Sequence, residues 1–151
     1  MEKLYYSYED FRKDVLALLP KLQNHYDTLI GISRGGLTLT QALAEALDIR
    51  NVQTLRTISY DTTQKRDDFL LIDNTDLHLS KKVLIVDDIS DSGETLLKVM
   101  RYLTTKYPKT TFETVTLFYK ETSLYKPTFY ANISTQWINF FWEVDFIKKS
   151  S

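Results

Sequence analysis

Two kinds of apolar run organise the chain. Short unbroken blocks of Leu and β-branched residues occur at 28–33 (Thr-Leu-Ile-Gly-Ile-Ser) and 83–86 (Val-Leu-Ile-Val), and their length and composition predict strands buried on both faces. Other segments repeat at helical spacing. Phe11, Val15, Leu18, Leu19 and Leu22 form one such stripe, opened by Ser7 and Asp10 and bent or ended by Pro20. Leu39, Ala42, Leu43, Ala46 and Leu47 predict the buried face of a second helix over 37–47. Strands are further predicted at 51–59, 69–72, 82–87, 112–119 and 126–134, with a helix over about 93–106. Residues 61–68 read as a polar loop and 73–81 as a connection. The aromatic tail over 137–147 follows neither period. Strand and helix alternate, which predicts an α/β fold with right-handed crossovers and a mostly parallel central sheet flanked by helices.

Composition narrows the classes. A chain of 151 residues fits a single domain over 1–151, with 43% hydrophobic and 26% charged residues giving it an ordinary core and surface. A formal net charge of −1 offers no basic field for nucleic acid or an anionic membrane, so neither is expected as a partner. The lack of Cys excludes disulfides, and His25 and His78 are too far apart in sequence to suggest a His-built metal site. No apolar run reaches transmembrane length, and the N-terminus lacks the apolar core of a signal peptide, so the expected location is cytoplasmic.

The chemistry concentrates after the predicted strands. The strand at 83–86 runs into Asp87 and Asp88, then Asp91, with Ser92, Gly93, Glu94 and Thr95 where a helix begins. Adjacent carboxylates repel unless a cation or hydrogen-bond donors offset them, and Mg²⁺ suits a pair of oxygen ligands completed by water and substrate. The polar turn at 91–95 places backbone N–H groups and a helix N-terminus where a phosphate would bind. Ser33, Arg34, Gly35 and Gly36 make a second polar turn after a buried strand, with an Arg suited to bidentate phosphate contacts. Taken singly, these motifs are also compatible with an acidic cap, a Ser-capped surface helix and a tight β–α turn carrying a solvated Arg. A P-loop and a Gly-x-Gly-x-x-Gly dinucleotide turn are both missing. A receiver-like domain is excluded, because Glu94 and Glu113, the carboxylates between Asp91 and Lys120, do not end strands.

The run Val-Asp-Asp-Ile-Ser-Asp-Ser-Gly-Glu-Thr at 86–95 resembles the phosphoribosyl-pyrophosphate (PRPP) motif of type I phosphoribosyltransferases. Ser33-Arg34-Gly35-Gly36-Leu37 is similar to the pyrophosphate loop of the bacterial xanthine-guanine enzymes of that family. Ser59-Tyr60-Asp61 with Arg66 is similar to the start of their catalytic loop. Lys120 stands where the family has a purine-reading Lys, and Trp137-Ile138 with Trp142-Glu143 resembles its C-terminal base-binding segment. The five motifs keep the family's order over roughly residues 28–145.

The resemblance implies a type I phosphoribosyltransferase fold with a small C-terminal hood. It implies purine salvage: transfer of 5-phosphoribosyl from PRPP to xanthine, guanine or hypoxanthine. Its implied PRPP site comprises Ser33, Arg34, Gly35, Asp87, Asp88, Asp91, Ser92, Gly93, Glu94 and Thr95, with Mg²⁺ on Asp88 and Asp87, directly or through water. Asp91 is the implied general base and Arg66 closes over pyrophosphate. Lys120, Trp137 and Ile138 form the implied purine site, and Ser33–Arg34 is the implied site of a cis peptide. The aromatic tail and the small size suggest a homo-oligomer, a dimer or tetramer. Glu94 stands where the compared enzymes have Gly, Ser92 where they have Thr, and Phe140-Phe141 where a Pro is common, which leaves the preference at the purine C2 group open. Two alternatives remain at this point: a regulator of the same fold that binds nucleotide or nucleic acid, and a transferase for another base.

Overall fold

The computed structural model describes residues 2–23, 25–59 and 69–148. A short strand β1 (Lys3–Tyr6) precedes helix α1 (Tyr8–Leu18). Ser7 caps that helix reciprocally: its hydroxyl accepts from the Asp10 N–H at 3.1 Å, and the Asp10 carboxylate accepts from the Ser7 N–H at 3.0 Å. Pro20 falls in a 3₁₀ turn (Leu19–Leu22) that ends the element, as a residue lacking an N–H donor dictates. Then follow β2 (Thr28–Ser33), α2 (Leu37–Leu47), β3 (Asn51–Ser59), β4 (Phe69–Asp73), β5 (Lys82–Val86), β6 (Ile89–Ser90), α3 (Glu94–Lys106), β7 (Thr111–Tyr119), β8 (Phe129–Ile133), β9 (Trp137–Phe140) and α4 (Phe141–Val144).

Seven of these strands form one sheet in the order β4-β3-β2-β5-β7-β6, with β8 on the other edge of β7. All pairings are parallel except β3 with β4. Alternate side chains along a strand point to opposite faces, and here both faces are dry. Leu29, Leu84 and Val86 pack with Val15, Leu39 and Leu43 under α1 and α2. Ile30, Ile32, Val83 and Ile85 pack with Leu96, Val99 and Leu103 under α3. The two unbroken apolar blocks are therefore the central strands β2 and β5, which are paired from Thr28 with Val83 to Gly31 with Val86.

Two expectations need correction, and a third element was not expected. The buried face of α2 is Leu39, Thr40, Leu43 and Ala44, with Ala46 exposed. The helix is rotated toward Gly31, because Thr40 turns its hydroxyl onto the Gly36 carbonyl at 2.7 Å and fits beside a residue with no side chain. The strand expected at 126–134 is shorter (Phe129–Ile133), since Pro127 precedes it. The third is β1, which carried no sequence signal. It pairs in parallel with β9, Lys3 beside Trp137 and Tyr6 beside Phe140, forming a separate two-stranded hood from the two ends of the described chain.

Candidate active site

Parallel pairing brings the carboxyl ends of β2, β3, β5 and β7 to one edge of the sheet, where ligands of open α/β sheets bind. A cleft of about 700 Å³ opens there, lined by Ser33, Arg34, Gly35, Leu37, Thr38, Thr57, Asp87, Asp88, Thr95, Trp142 and Glu143 among others. A smaller recess of about 230 Å³ adjoins it, lined by residues 87–93 with Thr95 and Leu96. The 33–36 turn, the acidic pair and the 91–95 turn are thus brought together.

The 33–36 turn touches the acidic pair. A Cβ at position 36 would lie 2.3 Å from the Val86 carbonyl oxygen and 3.0 Å from the Asp87 Cα, both backbone atoms, so a glycine there lets the turn approach the acidic pair, and a Cβ at 35 would meet the Asp88 carboxylate at 2.6 Å. The Ser33–Arg34 peptide is cis. Arg34 is exposed at the mouth of the cleft. Arg66 and the 60–68 segment, with Tyr60 and Asp61, lie outside the described residues.

Asp87 is buried and Asp88 half-buried. The Asp87 carboxylate accepts from the Asp88 N–H at 2.9 Å, and the Asp88 carboxylate from the Ile89 N–H at 2.7 Å. Burial pushes the Asp87 carboxyl well above the usual carboxylate range, and the neighbouring Asp88 charge adds to it. Burial also raises Asp88, with Glu143 across the cleft contributing repulsion. No group of three or more His, Cys, Asp or Glu residues able to hold a metal occurs among the described residues. The chemistry of the pair itself, two carboxylates facing the cleft, is an oxygen-only donor set of the kind hard cations take.

Beyond the pair, Asp91, Ser92 and Glu94 are exposed and Thr95 is half-buried at the start of α3. Glu94 points to solvent, so its charge does not crowd the recess. Gly93 caps the helix at φ +85°, a left-handed conformation that a side chain disfavours. Lys120, just past the end of β7, lies with its ammonium 3.6 Å from the Asp91 carboxylate, both exposed. The Ser134 N–H donates to the Tyr119 carbonyl at 2.9 Å, which draws the chain leading to Trp137 toward the same strand end. Trp137 is 57% exposed, with its indole N–H on Asn139 at 3.2 Å, whereas Ile138 is buried in the core. Trp137 is not among the residues lining the main cleft, where Trp142 and Glu143 are. Trp142 is held by a stacked contact with Phe140, ring centroids 4.6 Å apart, and by edge contacts with Tyr6 and Phe11.

Strand ends, a Gly-containing polar turn, a paired acid and a helix N-terminal turn line one edge of the sheet, and the sequence profile of the phosphoribosyl transferase domain matches residues 10–146. The chain belongs to this family. It is 34% identical over 122 residues to the xanthine-guanine phosphoribosyltransferase of Idiomarina loihiensis, a match covering 79% of this chain and 72% of that one. The enzyme of the same name from Ruegeria is 32% identical, over 72% of this chain and 67% of that one. Among solved structures, the Helicobacter pylori xanthine-guanine-hypoxanthine phosphoribosyltransferase matches with a TM-score of 0.85 at 37% identity, covering 95% of this chain and 96% of that one. A purine phosphoribosyltransferase from Pyrococcus horikoshii matches at the same TM-score and 27% identity, over 99% and 100%. Within this phosphoribosyltransferase frame, Thr38 and Thr57 are cleft residues that the motifs did not reveal. Their signal is positional: Thr38 opens α2 and Thr57 lies near the end of β3, one residue beyond Arg56, the partner of Ser33.

Proposed function

We propose that the protein transfers the 5-phosphoribosyl group from PRPP to a 6-oxopurine, giving the nucleoside 5′-monophosphate and pyrophosphate, as a step of purine salvage in the cytoplasm. The observation that carries this reading is the Asp91–Lys120 pair, 3.6 Å apart beside the 91–95 turn. It sets a proton acceptor and a fixed donor side by side at the rim of a phosphate-type recess. A 6-oxopurine offers the matching groups: a ring N–H for Asp91 and a carbonyl oxygen for Lys120. Adenine would turn its amino group toward the Lys120 donor.

In this mechanism the 5′-phosphate rests on the N–H groups of 91–95 and the start of α3. Arg34 and the Gly35 amide take the pyrophosphate. Asp87 and Asp88 hold the ribose hydroxyls and Mg²⁺, which when bound would neutralise charge on the leaving pyrophosphate. The bond from the anomeric carbon to the pyrophosphate oxygen breaks and that oxygen keeps the electron pair. Positive charge then grows on the ribose, facing the two carboxylates. In the N7–H tautomer the purine N9 supplies the pair for the new bond, and the N7 proton passes to Asp91. Trp137 presents an exposed indole for stacking on the base, and the backbone near Ile138 faces the C2 side.

The exposed aromatic and aliphatic surface at Tyr5, Tyr8, Phe146 and Ile147 supports assembly as a homodimer or homotetramer, which sedimentation at micromolar concentration will show or refute. The activity is tested by incubating the protein with Mg²⁺, PRPP and each purine base in turn. Pyrophosphate and the nucleoside monophosphate are expected with guanine, xanthine or hypoxanthine. Release with none of the three would overturn the proposal. Withholding Mg²⁺ with a chelator is expected to abolish turnover, and undiminished turnover would remove the metal from the account.

A further inference from the structure

We infer that Ser90 and Ser123 are positioning residues that lock the loop carrying Lys120 onto the phosphate turn, so that Asp91 and Lys120 address the same base. The inference rests on the proposed reading of that pair.

Asp91 and Lys120 are both exposed, and an exposed ion pair at 3.6 Å is too weak to hold two loops in register. The register comes from beneath them. Ser90, buried on β6, donates its hydroxyl to the Tyr125 carbonyl at 2.7 Å and lies 2.7 Å from the Ser123 hydroxyl. The Tyr125 N–H returns a bond to the Ser123 oxygen at 3.2 Å. These bonds close a ring in which each group polarises the next. The backbone repeats the connection on either side: the Lys120 N–H donates to the Ser90 carbonyl at 3.0 Å and the Leu124 N–H to the Ser92 carbonyl at 2.8 Å. Gly93 makes the approach possible, since a Cβ there would lie 2.5 Å from the Tyr125 nitrogen and 2.7 Å from that of Leu124. The residue before Asp91 and the loop after Lys120 are thus one hydrogen-bonded unit. Neither serine lines the main cleft; Ser90 lines the small recess beside the 91–95 turn, whereas Ser123 lines neither, so Ser123 is the residue whose effect on the reaction passes through the Lys120 loop.

The test is a double-mutant cycle. Ser123→Ala is expected to lower kcat/KM for the purine roughly tenfold, the scale of one buried hydrogen bond, with KM for PRPP changed less than about twofold. In a Lys120→Ala background the same substitution is expected to change the purine kcat/KM by less than about twofold, because the group it positions is gone. An equal loss in both backgrounds, or a loss spread equally over both substrates, would overturn the inference and leave a merely structural role. Hydrogen exchange gives a readout independent of activity: Ser90→Ala is expected to speed exchange at the Lys120 and Leu124 amides and not at Thr40. Unchanged exchange at those two amides would overturn the interlock itself. Absence of turnover in the unmodified protein would instead sink the proposed function, and the exchange result still decides whether the loops are locked.

Discussion

Asp88 is a residue whose placement costs stability and, in the proposed mechanism, holds substrate. Burial raises its carboxyl and that of Asp87, so the folded state holds protons more tightly than the unfolded chain. The sign follows: this contribution favours folding at pH values below the ordinary carboxylate range and is lost as pH rises through the raised folded values. Asp88→Asn is therefore expected to unfold at a higher temperature than the metal-free native protein at neutral pH, and to lose roughly a hundredfold or more in kcat. A variant both less stable and fully active would contradict this. The rise in melting temperature on adding Mg²⁺ is expected to be larger at pH 8 than at pH 5, because the ion needs both carboxylates ionised; the opposite order would remove the pair as its site. Asp91 differs, being exposed and paired with Lys120. Asp91→Asn is expected to lose most turnover while still binding PRPP, which calorimetry checks directly. These residues were legible in the sequence because they sit in short contiguous runs behind strong strands. Ser123, Thr38 and Thr57 were not, because their roles come from what a crossover places beside them.

At the scale of elements, the buried strands were plain in the sequence because both faces are apolar, so no alternation had to be read. The small C-terminal hood was implied by the resemblance, but its pairing with an N-terminal strand was invisible for the converse reason. β1 and β9 are short and lie at opposite ends of the described chain, so the pairing of Tyr6 with Phe140 depends on a contact between distant segments. Asp73 shows how the antiparallel edge is secured. Burial alone would raise its carboxyl, but hydrogen bonds from the Thr75 hydroxyl, from Tyr102 at 2.6 Å and from Lys106 at 2.9 Å outweigh that and hold it at about 2. These bonds tie the end of β4 to α3. A lowered carboxyl stabilises the fold above the unfolded value near 4 and loses that stabilisation as pH falls toward 2, on the order of 2 kcal/mol. Urea unfolding from pH 6 to 2.5 is expected to show a smaller decline in Asp73→Asn than in the native chain. Parallel curves would show that the tie contributes nothing.

At the scale of the whole molecule, parallel pairing makes the site by collecting four strand ends that are far apart in sequence. The α/β class followed from alternation alone, whereas the cleft required the strand order, which no local pattern encodes. The resulting edge has an acidic floor at Asp87 and Asp88, and the proposed mechanism makes 91–95 its phosphate side and Lys120 its base side. The central claim is that Lys120 and Asp91 read a 6-oxo group and a ring N–H. Hypoxanthine and adenine isolate that claim, since they differ at C6. The deciding measurement is kcat/KM for each with Mg²⁺ and saturating PRPP. The account predicts that hypoxanthine is preferred by roughly a thousandfold or more, as for a site built around a hydrogen bond its competitor cannot make. Equal use of the two bases, or a preference for adenine, would contradict it.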